Sequence, residues 1–473
     1  MDEHMVTLDL RGRDLLLIPT EELLRLPTSE LLQALFGPHL PSTVRNSIGR
    51  DKRHHFLRAQ PIHFSIIKRA LRKQQTPFTV AFDERPLLPY ETTLSIEPRP
   101  YQNEALTSWL AAGSAGVVVL PTGAGKTLVA AMAMHETHLW TLAVVPTLDL
   151  LQQWRTALAS SLSLNFEEIG IFGGGEKELK PITIITYDSA ALYPRELRRF
   201  GLLIFDECHH LPAQTYRLIA ESAFTPMRLG LSATPERSDM AHKDLDLLIG
   251  PEVYRRSPAE LTEGHYLAEY QEVRIDIALS SEDEQRYTEQ RRIYRSFLQR
   301  RHIILRSPEE FQQKVIFLSA RDPEAREAML AWREARNIAM NAPAKYAEID
   351  RLLRLHARDL VILFSEYNQV VDEISRRFCL PSITYKTPAE ERRTILERFR
   401  TGQYTKLVTG RVLNEGVDVP DCRVAIIVSG NSTQREYIQR LGRVLRPKAD
   451  QAVLYELVTS DTTEEEMSRQ RRG

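Results

Sequence analysis

The chain is 473 residues long, with 62 Lys and Arg against 63 Asp and Glu and a formal net charge of -1. A hydrophobic fraction of 42% and a charged fraction of 26% exclude general disorder, a fibrous repeat and a wholly basic polyanion coat. The length predicts about three domains, and the near-zero sum leaves room for charge that is unevenly placed.

Residues 1–88 are expected to form a small N-terminal domain, with helix-period apolar patterns at 15–26 and 31–36 and a turn at Gly37-Pro38. Within residues 45–73, nine Lys and Arg stand against one acid, Asp51. Such a run is either a solvated helix face or a phosphate-contacting surface. A Pro-rich connector, residues 86–100, follows. From 101 to 254, short Val/Ile/Leu runs at 116–120, 142–145, 182–185, 202–205 and 229–231 alternate with helical stretches. Apolar runs separated by helices predict a parallel sheet covered on both faces. Residues 286–306 carry seven arginines against one acid, Glu289, and read as a basic helical projection. The alternation returns at 360–364, 407–409, 424–428 and 452–457, and the tail after Asp461 is expected to be charged and frayed.

Cys208, Cys379 and Cys422 lie far apart with no Cys-x-x-Cys pair, which excludes a zinc ribbon or an iron–sulfur cluster and fits a reducing compartment. The N-terminus lacks a secretion signal, and no apolar run approaches the ~20 residues of a membrane span. A soluble, cytoplasmic setting is expected.

Three motifs carry chemistry. Leu120-Pro121-Thr122-Gly123-Ala124-Gly125-Lys126-Thr127 joins a strand run to a helix, so its backbone N–H groups can cradle phosphate. Lys126 would reach the β/γ-phosphates and Thr127 would hold Mg²⁺. Asp206 and Glu207 end a buried strand, where open α/β sheets place ligands; Asp206 suits the same Mg²⁺ and Glu207 suits the attacking water. Gln439, Arg443 and Arg446 fall at i, i+4 and i+7 on one helix face. That face is either solvated or a pair of guanidinium forks for a γ-phosphate.

Together the motifs resemble a superfamily-two nucleic-acid motor in the right order. Arg99-Pro100-Tyr101-Gln102 precedes the phosphate loop, and Val145-Pro146-Thr147, Thr186-Tyr187-Asp188-Ser189, Asp206–His209 and Ser232-Ala233-Thr234 follow it. The second half holds Leu363-Phe364-Ser365, Asn414-Glu415-Gly416-Val417-Asp418 and the 439–446 helix. Within that superfamily, residues 99–459 resemble the XPB helicases in their compact archaeal or bacterial form. The resemblance implies an α/β fold with two RecA-like parallel-sheet motor domains (89–258 and 343–460), a small N-terminal damage-recognition-like domain (1–88), a helical thumb insert (282–342) and a charged tail (461–473). It implies ATP and Mg²⁺ as cofactors, DNA as partner and 3'-to-5' polarity.

By the same resemblance Arg99 and Gln102 would read adenine, and Thr122, Gly123, Ala124, Gly125 and Asp418 would complete the nucleotide site. Gln439, Arg443 and Arg446 would serve catalysis with Lys126, Asp206 and Glu207. Thr147, Thr186 and Thr409 would touch the DNA backbone. His209, Ser232, Thr234, Arg237 and Asp239 would couple ATP state to motion. Two departures stand out: Arg237-Ser238-Asp239 replaces the family's Arg-Glu-Asp, and Asn414 replaces an Asp. The favoured function is an ATP-dependent DNA helicase or translocase that acts in nucleotide excision repair and transcription. The alternative is an ATP-gated DNA clamp that recruits a nuclease partner with little unwinding; an RNA helicase of the same superfamily is the third reading. A monomer without membrane attachment is expected.

Overall fold

The computed structural model describes residues 5–11, 14–51, 55–82, 86–194, 196–225, 227–236, 239–263, 270–305, 308–410, 422–430 and 452–472. Its backbone forms two compact units, Met1–Glu260 and Leu261–Gly473.

The first unit begins with a five-stranded sheet. Val6–Arg11 pairs antiparallel with Asp14–Pro19 and parallel with Phe78–Val80. The helical pattern expected across 15–26 is therefore corrected: 14–19 is a strand, and helix is confined to Glu21–Leu24. Leu15, Leu16, Leu17 and Ile18 are consecutive aliphatics, and a short run of that kind suits a buried strand as well as a helix. Helices Thr28–Phe36 and Phe64–Lys73 cover the sheet with Leu31, Leu35, Phe36, Phe64, Ile67 and Leu71. Phe64, Phe82 and Phe224 stack with centroids 4.6–5.9 Å apart and fasten this sheet to the next.

The basic stretch 45–73 divides on inspection. Arg45 donates to the Gly37 carbonyl, Arg50 to the Leu24 and Leu26 carbonyls, and Arg58 to Asp14 and Asp51. These three satisfy carbonyl and carboxylate groups of the domain itself, whereas Arg69, Arg72 and Lys73 are exposed on one helix.

The second sheet has eight strands, in the order Glu252–Arg255, Ala115–Val119, Met227–Ser232, Leu202–Asp206, Thr141–Val145, Ile182–Thr186, Ile169–Gly173, Glu176–Lys177. All pairings are parallel except the last hairpin. The five runs expected from sequence are all strands here. Ile169–Gly173 was missed because glycines interrupt it. Gly170 is required there, since an added Cβ would come within 2.5 Å of the Glu178 carbonyl oxygen. The strands' common polarity brings Leu120, Thr147, Thr186, Asp206 and Ser232 to the carboxyl edge.

The second unit holds a six-stranded parallel sheet, in the order Tyr270–Ile277, Ala452–Thr459, Val424–Ser429, Val361–Ser365, Lys406–Thr409, Ser382–Ile383. Its edge strand, Tyr270–Ile277, comes ahead of the long helices Ser281–Arg300 and Pro323–Met340, which pack through Tyr294, Phe297, Ala325 and Ala328. Three of the five arginines on the first of these helices face acids: Arg286 pairs with Glu334, Arg292 with Glu289 and Arg300 with Glu324, and Arg301, just past its end, pairs with Asp322 and Glu324. The basic projection expected from the local count is thus offset across the helix pair.

The frayed tail is also corrected. Thr463–Arg472 is a helix docked on the six-stranded sheet of its own unit, with Glu464 and Ser468 buried. Lys345 donates to both Glu464 oxygens at 2.8 and 2.7 Å and to the Val428 carbonyl at 2.8 Å. Glu464 also accepts from the Thr459 N–H, and Ser468 donates to Glu456. Arg469, the Asp461 N–H and Arg274 hold the Glu465 carboxyl down at about 2. Among the described residues no helix is long and apolar enough to cross a membrane.

Candidate nucleotide site

The phosphate loop lies between the strand Ala115–Val119 and the helix Lys126–Thr137. Gly123 and Gly125 have φ of 83° and 77°, backbone that L side chains adopt at a cost. Gly125 has a second reason to be glycine: an added Cβ would come within 2.4 Å of Gln102 Nε2. Leu120 N–H donates to the Ser232 carbonyl at 3.0 Å, which ties the loop's start to the neighbouring strand. The Lys126 ammonium donates to the Leu120 carbonyl at 3.3 Å and lies 3.9 Å from Glu207 Oε1. Ala124 is buried, Thr127 is half-buried, and Thr122 Oγ1 is buried with no hydrogen-bond partner. A glycine-rich loop that opens a helix, one restrained ammonium and an unpaired buried hydroxyl fit a polyphosphate.

Arg99 and Gln102 sit behind this loop. Gln102 Oε1 accepts the Arg99 N–H at 2.9 Å, and Gln102 Nε2 donates to the Ala124 carbonyl at 3.0 Å. Tyr101 OH donates to the same carbonyl at 2.8 Å. In this structure Gln102 therefore buttresses the loop. Sequence reading missed Tyr101, although its place between Arg99 and Gln102 was the available signal.

Asp206 and Glu207 end the central strand, at 6% and 4% exposure. Asp206 Oδ1 accepts the Glu207 N–H at 3.1 Å, and Oδ2 accepts the Trp154 indole N–H at 2.9 Å. Glu207 has φ of 45°, a strained value for a non-glycine residue of the kind that concentrates at functional sites. Ser232 Oγ donates to Glu207 Oε2 at 3.5 Å and lies 3.4 Å from His209 Nδ1, while Thr234 N–H donates to Ser232 Oγ at 3.2 Å. The structure thus brings His209, Ser232 and Thr234 together with the acidic pair. Asp239 accepts the Ala241 N–H; Arg237 lies outside the described residues, as do Asp418, Gln439, Arg443 and Arg446.

Thr147 and Thr186 are helix N-caps. Thr147 Oγ1 accepts the Leu150 N–H at 3.2 Å, and Thr186 Oγ1 accepts the Ser189 N–H and donates to Ser189 Oγ. Thr409 is fully buried, and its hydroxyl donates to the Gly410 carbonyl at 3.2 Å.

Two family models match this chain. Residues 95–237 match the type III restriction enzyme, res subunit, and residues 327–473 match the ERCC3/RAD25/XPB C-terminal helicase. Over 378 residues the chain is 44% identical to a Sulfurisphaera tokodaii protein named DNA 3'-5' translocase XPB2, a match covering 80% of this chain and 85% of that protein. The chain belongs to the XPB family. Proteins named DNA 3'-5' helicase XPB from Kineococcus radiotolerans and Mycobacterium tuberculosis are 32% and 31% identical over 385 residues. This XPB-family chain spans 62% of the length of each of those two relatives. Among solved structures it resembles the Pyrococcus furiosus Hef helicase domain, with a TM-score of 0.58 and 18% identity over 80% of this chain and 98% of that one. It also resembles S. cerevisiae Dbp5 bound to RNA and ADP BeF3, with a TM-score of 0.53 and 14% identity over 79% and 86% of the two chains. These likenesses give the fold: parallel sheets of the RecA-like kind, as the sequence predicts.

Proposed function

We propose that this chain is an ATP-dependent DNA translocase with 3'-to-5' polarity that opens or remodels duplex DNA in excision repair and transcription. The observation that carries the reading is the 44% identity, across 85% of its length, to a relative named DNA 3'-5' translocase. The names of the relatives do not favour the ATP-gated clamp. A nuclease partner, a monomeric free state and a cytoplasmic setting belong to the proposal as well, and residues 1–88 and 282–342 are assigned to damage recognition and to the thumb.

When bound, ATP with Mg²⁺ supplies the phosphoanhydride whose hydrolysis drives the motor. Lys126 and the loop's N–H groups, apart from that of Ala124, which donates to the Pro121 carbonyl, hold the phosphates. Thr127 and Asp206 are the ligands offered to the metal, a hydroxyl and a carboxylate suited to a hard cation. Glu207 polarises the attacking water, and His209 with Ser232 and Thr234 passes the state of that carboxylate onward. Arg443 and Arg446 neutralise developing phosphate charge, Gln439 orders the water, and Asp418 completes the site. Thr147 and Thr186 grip the DNA backbone, a contact that holds phosphate without reading bases. Thr409 joins them once its hydroxyl is released from the Gly410 carbonyl.

The test is ATP hydrolysis with single-stranded, forked and duplex DNA and with RNA, paired with strand displacement on the fork. Strong DNA stimulation is expected, with displacement raised in Ser238→Glu. Equal stimulation by RNA would overturn the DNA assignment. Stimulation without any displacement in either protein would turn the reading toward the clamp.

A further inference from the structure

Two side chains to which the motifs assign no role meet Asp206, the residue at the strand end. Trp154 is 2% exposed and donates its indole N–H to Asp206 Oδ2 at 2.9 Å. Tyr187 is 1% exposed and donates its hydroxyl to the Asp206 carbonyl at 3.1 Å.

The origin of these donors matters. Trp154 is in the helix Leu148–Leu162, whose N-cap is Thr147; Tyr187 opens the helix Tyr187–Leu192, whose N-cap is Thr186. The strands that lead to those caps are neighbours in the sheet: Thr141–Val145 pairs with both Leu202–Asp206 and Ile182–Thr186. Trp154 is seven residues past Thr147, about 10.5 Å along a helix. A helix moves nearly as a rigid rod over two turns, so a shift at its cap arrives at its indole. Thr147 and Thr186, two of the threonines that the proposed function places on DNA, are each therefore one rigid element away from Asp206.

The geometry points to Trp154 and Tyr187 as positioning residues that link DNA contact at Thr147 and Thr186 to the orientation of Asp206, the carboxylate offered to Mg²⁺. Trp154 holds the carboxylate plane and Tyr187 holds the backbone behind it. This inference rests on the proposed nucleotide and DNA sites. Partners behind a metal ligand typically change metal affinity 10–100-fold when removed. Coupling between two ligands is also reciprocal, so it is measurable by binding alone.

The experiment uses the full chain, a fluorescent non-hydrolysable ATP analogue, Mg²⁺ and a labelled forked duplex. Nucleotide binding is titrated with Mg²⁺, with and without DNA, and DNA binding is titrated with and without nucleotide. Trp154→Phe is expected to raise the Mg²⁺ needed for half-saturation roughly 10-fold. It should shrink the nucleotide–DNA coupling factor while leaving DNA affinity without nucleotide unchanged. Tyr187→Phe deletes one hydroxyl at almost constant volume; it should weaken the coupling in the same direction even if Trp154→Phe folds poorly. Thr147→Val and Thr186→Val test the underlying reading, since they should weaken DNA binding without nucleotide. If they do so while Trp154→Phe and Tyr187→Phe leave both the Mg²⁺ midpoint and the coupling factor at wild-type values, the positioning role is wrong. If the threonine variants bind DNA normally, the DNA assignment fails instead.

Discussion

The ion pair between Lys345 and Glu464 gives the most sharply stated stability prediction. Both side chains are about 1% exposed, and the ammonium meets two carboxylate oxygens and the Val428 carbonyl, all within 2.8 Å. Removing one partner leaves the other charge buried, which costs about 3–5 kcal/mol. Replacing both by apolar residues of similar size removes the charge altogether and is often close to neutral. Lys345→Met and Glu464→Leu should therefore each cost about 4 kcal/mol, and the double variant far less than their sum. At about 2.1 cal/mol/K per residue over a unit of roughly 210 residues, 4 kcal/mol lowers the midpoint by ~9 °C. Scanning calorimetry of the full chain reads this in the transition of the Leu261–Gly473 unit. Single-variant costs below ~1 kcal/mol, or a double variant that sums the singles within ~0.5 kcal/mol, would refute the reasoning.

Other expectations are equally direct. Arg443→Ala should lower DNA-stimulated ATP turnover by 10³ to 10⁵, by analogy with other arginine fingers; unchanged turnover would remove Arg443 from the site. Gly125→Ala meets both a φ of 77° and the Gln102 amide at 2.4 Å, so ATP affinity should fall more than ~30-fold, beyond the 1–2 kcal/mol of backbone strain alone. Nucleotide binding by fluorescence checks this, and Gln102→Ala in the same chain should return part of the loss by removing the clash. His63 is buried and its Nδ1 is without a partner; burial lowers its pKa below 6.5, against the opposing pull of Glu221. The native state then binds fewer protons than the unfolded chain below pH 6.5, so the Met1–Glu260 unit keeps this stability above that pH and loses it as pH falls. The slope approaches 1.36 kcal/mol per pH unit at most. His63→Leu should flatten it in melts between pH 5 and 8, and parallel curves for the two proteins would count against the assignment.

The phosphate loop and the acidic strand end were legible because their chemistry is local. Gly123, Gly125, Lys126 and Thr127 occupy one turn, and Asp206 follows an uninterrupted apolar strand. Strands with consecutive aliphatics were legible for the same reason. What failed depended on long-range partners. The arginines at 286–301 looked like a field until Glu324 and Glu334 were brought beside them from the next helix. Arg45 and Arg50 looked available until helix-end carbonyls claimed them. The charged tail reads as frayed because Lys345, its buried counterion, lies more than a hundred residues earlier. Trp154 carried no local sign at all: a buried tryptophan needs some acceptor for its N–H, and only the fold shows that the acceptor is Asp206.

The pairing of Tyr270–Ile277 with Ala452–Thr459 bears on how the chain is made. The edge strand leaves the ribosome roughly 180 residues before the strand it must join, an interval of about 9–36 s at 5–20 residues per second. The Met1–Glu260 unit has all of its strands by then and is free to fold. The six-stranded sheet does not close until its last strands and the Thr463–Arg472 helix emerge, so the apolar side chains of Tyr270–Ile277 wait in the open. Nascent chains stalled between residues 280 and 440 should therefore be the ones most in need of a holdase.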